Sequence, residues 1–144
     1  MSESKTRLSP PLRKRVAQRA NFRCGYCLTE QRISGCKLTV DHILPESKGG
    51  KSDESNLWLA CVDCNQIKGS RFQARDLETK RQVRLFNPCR QIWREHFKWS
   101  DDGTKIIGLT PRGRATVLAL QLNRPELVFA RRLWVQVGWW PPLD

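Results

Sequence analysis

Two pairs of cysteines constrain this chain more than any other feature. Cys24 and Cys27 are separated by two residues, Cys61 and Cys64 likewise, and residues 28–60 lie between the pairs. A CxxC turn directs two sulfurs at one point, and two such turns complete the tetrahedron that structural Zn²⁺ prefers, with no position open for substrate. A redox dithiol is the competing use of such a pair, but two matched pairs in a small basic chain point to zinc. The thiolates would carry excess negative charge, which Arg23 and Lys68, beside the two turns, are placed to offset. Cys36 and Cys89 lack CxxC partners and read as buried or half-buried thiols.

A chain of 144 residues supports one domain with a real core rather than two independent ones. Its 26 Lys and Arg against 14 Asp and Glu leave a formal charge of +12, and such a surface attracts polyanions through counterion release. Nucleic acid is the expected partner. A membrane is not expected, since no apolar run approaches the roughly 20 residues of a spanning helix. The charged N-terminus lacks the apolar core of a secretory signal, which favours the reducing cytoplasm and metal-bound over disulfide-bonded cysteine.

Residues 1–8 read as a loose polar tail. Ser9 can cap a helix whose first turn accepts Pro10 and Pro11, with Leu12, Val16 and Ala20 on one face and an end near Asn21. Gly25 then supplies backbone freedom between the first two thiols. Residues 37–43 read as a strand, Pro45 with Gly49-Gly50 as a loop, and residues 56–60 as the returning strand. From Asn65 onward the pattern predicts a very basic helix carrying Lys68, Arg71, Arg75, Lys80, Arg81 and Arg84. Beyond Asn87-Pro88, a hairpin is expected with Phe97 and Trp99 on one strand, Asp102-Gly103 at the turn and Ile106-Ile107 on the other. Helix starts follow at Thr110-Pro111 and Arg124-Pro125. The tryptophans, mostly in the last third, could stack on unpaired bases but are better read as core.

Between the knuckles stand Asp41-His42-Ile43-Leu44-Pro45, then Gly49-Gly50 and Asn56-Leu57, followed by Asn65 and Lys68-Gly69 beside the second CxxC. From about Arg19 to Gly69 this segment resembles the zinc-bound HNH endonuclease motif in a variant whose third letter is Asn, with His42, Asn56 and Asn65 as the three letters. Residues 85–116 also resemble extensions attached to HNH domains in some bacterial proteins. The resemblance implies an α+β protein with a ββα-metal (His-Me finger) core. Residues 9–86 would form that zinc-stapled core with its N-terminal helix, and residues 87–144 a hairpin and two helices packed on it.

It also implies metal-dependent hydrolysis of DNA phosphodiester bonds, with His42 as general base on neutral imidazole, its ring oriented by a backbone carbonyl. Asp41 and Asn65 would offer oxygen ligands to a catalytic Mg²⁺ or Mn²⁺, and Asn56 would brace the loop between the strands. Adjacent strand residues point to opposite faces, so the strand is expected to end near Asp41 and His42. Lys68, Arg71 and Arg75 are the expected nucleic-acid contacts, near the start of the helix that follows. Each residue also has a plain structural explanation: Asp41 as a turn cap, Asn56 and Asn65 as turn or helix-cap residues, His42 as an ordinary histidine. Their joint placement inside a zinc clamp favours the catalytic reading. A zinc-containing DNA-binding or assembly module that does not cut is the rival. His96, outside the motif, reads as structural.

Overall fold

The computed structural model describes residues 8–143; of the predicted tail, residues 1–7 lie outside the described residues. Helix α1 (Pro10–Arg19) starts where the sequence allows, with the Ser9 hydroxyl accepting from the Leu12 amide at 3.3 Å and prolines filling the first turn. Its buried face rests on a hairpin of β1 (Leu38–His42) and β2 (Leu57–Cys61). Leu8, Val16 and Leu57 form the buried cluster, with Leu12 and Val40 against it. The chain leaves α1 through Asn21 and Phe22, both in the left-handed region at φ 53° and 55°. A one-turn helix α2 (Gln31–Ser34) precedes β1.

The two strands pair antiparallel, with Val40 opposite Leu59, Asp41 opposite Trp58 and His42 opposite Leu57. Helix α3 (Val62–Lys68) follows β2 directly, which completes a ββα unit. Its N-cap is Cys61, whose sulfur accepts from the Cys64 amide, so one residue both caps the helix and faces the metal position. The helix starts three residues earlier than predicted and ends far sooner. It stops at Lys68, and the predicted basic helix beyond gives way to a second hairpin, β3 (Gln73–Arg75) and β4 (Gln82–Arg84). Gly69 ends the helix as its C-cap at φ 59°, and the hairpin turn is set by Asp76, whose carboxylate accepts from the Thr79 amide and hydroxyl at 3.1 and 2.8 Å. Such a local bond competes with helix continuation and turns the chain. Buried Asp76 also receives two bonds from Arg114, which fix it to the element that follows.

The described chain divides into two compact units, one running to Phe72 and rejoined by Asn87–Arg90, the other made of Gln73–Phe86 and the chain from Gln91 onward. In the second unit, a single turn α4 (Trp93–His96) leads into β5 (Phe97–Trp99), paired with β6 (Ile106–Gly108) across the expected turn. Helices α5 (Pro111–Ala119) and α6 (Pro125–Gln136) start at the predicted signals, with the Thr110 hydroxyl capping α5 through the Gly113 amide. Trp93, Trp99, Trp140 and Trp134 pack ring to ring at 5.0–5.4 Å, with Trp134 and Trp140 buried and Trp93 and Trp99 half-buried, whereas Trp139, also read as core, is exposed. Fully buried Arg131 lies over Trp99 and donates to the Thr104 and Leu122 carbonyls and to Asn123 Oδ1. His96 bonds Thr110 through Nδ1 at 2.7 Å and packs on Phe86.

Candidate active site and metal clamp

The two CxxC turns bring Cys24, Cys27, Cys61 and Cys64 together, all buried, with their sulfurs within 4.8 Å of one another. A tetrahedron with Zn–S bonds of about 2.3 Å has edges of about 3.8 Å. Cys27 and Cys61 stand 3.8 Å apart, so the cluster is compatible with a zinc site. Burial pushes the Cys24 thiol up, and its hydrogen bond with Cys24 pushes Cys64 up, while bonds with Cys24 hold Cys27 and Cys61 down. Four thiols this close cannot all ionise alone, whereas a divalent cation at their centre lets them.

Gly25 sits in the first turn for space: a Cβ there would run into the Trp58 ring and Pro88. The left-handed residue of this knuckle is Leu28, at φ 62°, so the freedom predicted for Gly25 is supplied elsewhere. Arg23 Nε bonds Glu30, and the Lys68 ammonium is directed at Asp41. Cys36 is exposed, contrary to expectation, and Cys89 is half-buried with its thiol donating to the Glu54 carbonyl at 3.3 Å.

The clamp fixes the end of β2 and the start of α3, and at the far end of β1 a cleft of about 380 Å³ is lined by Asp41, His42 and Asn65 together with Pro45, Glu46 and Gln66. β1 ends at His42, so the neighbours Asp41 and His42 both reach this cleft from opposite faces of the strand end. Asp41 is only 5% exposed; the Tyr26 hydroxyl donates to its Oδ2 at 3.0 Å and Lys68 Nζ to its Oδ1 at 3.3 Å. Burial pushes the Asp41 carboxyl up, and Lys68 and Tyr26 work against that shift. Buried Tyr26 is itself pushed up and stays a phenol donor.

His42 Nε2 lies 2.8 Å from Ser52 Oγ and 3.6 Å from Glu46 Oε1. The ring partner is thus a serine hydroxyl, where a backbone carbonyl was expected. Asn65, on α3, donates its amide N–H to Thr39 Oγ1 at 3.1 Å. Asn56 stands back from the cleft. Its Oδ1 accepts from the Leu44 amide, and its Nδ2 donates to the carbonyls of Leu44 and Lys51. Gly50 closes the same loop: a Cβ there would collide with the Leu44 carbonyl.

The expected nucleic-acid contacts are placed unequally. Lys68 is 1% exposed and donates to the His42 carbonyl as well as to Asp41, so its charge serves the interior and not a surface contact. Exposed Arg71 donates to the Ile67 and Lys68 carbonyls at the end of α3. Arg75 is exposed on β3. The sequence reading missed Tyr26 and Ser52. Tyr26 had one available signal, its place inside the first CxxC two residues beyond Cys24; Ser52, in a polar loop, had none.

A clamp of four cysteines around a ββα unit, with Asp, His and Asn at one cleft, defines a class. Residues 24–71 match the family model of the HNH endonuclease. The chain is 27% identical to the Septu protein PtuA of Bacillus mycoides (strain KBAB4), in an alignment covering 83% of this chain and 20% of that protein. It therefore spans about one fifth of the length of the curated relative it matches. No solved structure matches the chain. Among the described residues, no helix is long and apolar enough to cross a membrane.

Proposed function

We propose that this chain is a metal-dependent endonuclease that hydrolyses DNA phosphodiester bonds at the cleft holding Asp41, His42 and Asn65. The observation that carries the reading is that these three residues, drawn from β1 and α3, line one cleft inside the matched HNH segment. His42 is the general base. Nε2 is taken up by Ser52 Oγ, so Nδ1 is the ring nitrogen that takes the proton of the attacking water. Hydroxide adds to phosphorus and the P–O bond to the 3′ oxygen breaks.

The donor set fits a hard divalent ion: Asp41 offers a carboxylate, and Asn65, tied through its nitrogen, offers an amide oxygen. Mg²⁺ or Mn²⁺ held there would neutralise the phosphate and stabilise the leaving oxygen. Lys68 opposes the upward push that burial gives the Asp41 carboxyl. Asn56 holds the loop that carries Pro45 and Ser52 in place, and the exposed Arg71 and Arg75 contact phosphates. Zn²⁺ in the four-cysteine site is structural. Thiolates kept free for a metal suit the reducing cytoplasm.

One observation favours the rival reading, a zinc-containing binding or assembly module: the Asp41 carboxylate already has a cation, Lys68, beside it. Plasmid nicking with Mg²⁺ or Mn²⁺ separates the two. Nicking by the wild type that His42→Ala loses supports the nuclease, and DNA binding without cutting under either metal supports the module.

A further inference from the structure

Phe22 stands mostly outside the core. It is 58% exposed, and it follows Asn21 into the left-handed region at φ 55°, which a bulky residue rarely adopts. Backbone strain of this kind persists where surrounding structure enforces it, and it gathers at binding sites. Here the enforcement is visible: the Phe22 amide bonds the Ala17 carbonyl at 3.0 Å and the Asn21 amide the Gln18 carbonyl at 3.1 Å, which closes the end of α1. The ring borders a groove of about 770 Å³ whose apolar floor is Ala17, Leu38 and Leu59, with Asn21, Gln31 and Arg32 at its edge.

The charges around this groove choose its occupant. Helix α1 contains no acidic residue, and exposed Arg13 and Lys14 precede Ala17 by one turn on the same side. Across the groove the Arg32 side chain is 85% exposed, and the groove's one carboxylate, Glu30, is shared between Arg23 and Arg32. An exposed aromatic ring over an apolar floor with cations at the border matches an unpaired base and its flanking phosphates. Leu38, in the groove, and His42, in the cleft, stand four residues apart on β1, roughly 13 Å at strand spacing. We infer that this groove binds an unpaired nucleobase of a DNA strand, stacked on Phe22 with its phosphates against Arg32, Arg13 and Lys14. The inference rests on the proposed action on DNA.

The test is fluorescence anisotropy with the full chain, zinc-loaded and without added Mg²⁺, on a labelled single-stranded 15-mer and on the duplex of the same sequence. Phe22→Ala is expected to weaken single-strand binding roughly tenfold, the loss typical of one removed stacking platform, with duplex binding unchanged. Phe22→Trp should retain wild-type affinity. Phe22→Gly relieves the left-handed strain, so it should melt no lower than wild type and yet lose single-strand affinity as Phe22→Ala does, which separates binding from stability. Equal single-strand affinity for Phe22, Ala and Gly overturns the inference, as does a wild type that binds no single strand. Plasmid nicking is scored apart: a wild type that binds through Phe22 and never cuts sinks the nuclease reading alone.

Discussion

Asn56 acts through both ends of one amide. Its oxygen holds the Leu44 amide and its nitrogen holds the Leu44 and Lys51 carbonyls, so one side chain joins the two ends of the loop between β1 and β2. At about 1 kcal/mol for each net hydrogen bond, Asn56→Ala is expected to cost roughly 2–3 kcal/mol in a urea melt. Asn56→Asp, which keeps the acceptor and loses the donor, should also be destabilised, since its carboxylate would face two carbonyls. A mutant as stable as wild type would show that the loop is held by other means. Lys68 and Tyr26 illustrate what sequence alone conceals at this scale. Lys68 has the same look as the exposed basic residues around it, and only the packing of α3 over β1 reveals that its ammonium is buried against Asp41. Gly25 was legible as necessary, for the wrong reason: the constraint is the ring of Trp58, a contact made across 33 residues of chain.

At the scale of elements, signals that are local in sequence were legible. Ser9, Thr110 and the prolines marked helix starts, and Asp102-Gly103 marked the β5–β6 turn. The basic stretch after Lys68 was misleading because arginines and lysines at mixed spacings mimic a solvated helix face. The turn at Asp76 depends on a carboxylate to Thr79 bond and on Arg114, 38 residues away. The β5–β6 turn offers a clean test of such carboxylates. Asp102 Oδ1 accepts from Ser100 Oγ and from the Thr104 amide and hydroxyl, and these bonds hold its carboxyl down at about 2. A carboxyl depressed by folding contributes stability above its unfolded pKa of about 3.9, and that contribution is lost as pH falls toward 2. Asp102→Asn should therefore lower the melting temperature at pH 5 and have little effect at pH 2. An equal drop at both values would mean that the charge is not what the turn uses.

For the whole molecule, the clamp is what lets a short hairpin and a seven-residue helix hold a site. β1 and β2 are five residues each, the hydrophobic cluster under them is small, and the four sulfurs tie the segment before β1 to the start of α3. Zinc binding in such a site is coupled to folding. Cys61→Ala removes a ligand and the cap of α3 together, so it is expected to lose bound zinc, measured by atomic absorption, and to lose cooperative thermal unfolding. Retained zinc at one ion per chain would contradict the clamp. The clamp and the order of residues within it were legible because ligand spacing is a local property. How Asp41 is neutralised, what holds His42 and where Phe22 stands required the folded chain.

The most direct measurement is the rate of plasmid nicking by His42→Ala beside wild type, with zinc content determined on both preparations. Removal of a general base is expected to slow cutting by 10²- to 10⁴-fold at unchanged zinc content and unchanged melting temperature. Equal rates for the two proteins, both carrying one zinc per chain, would contradict a base at His42 and with it the reading of this cleft as the active site.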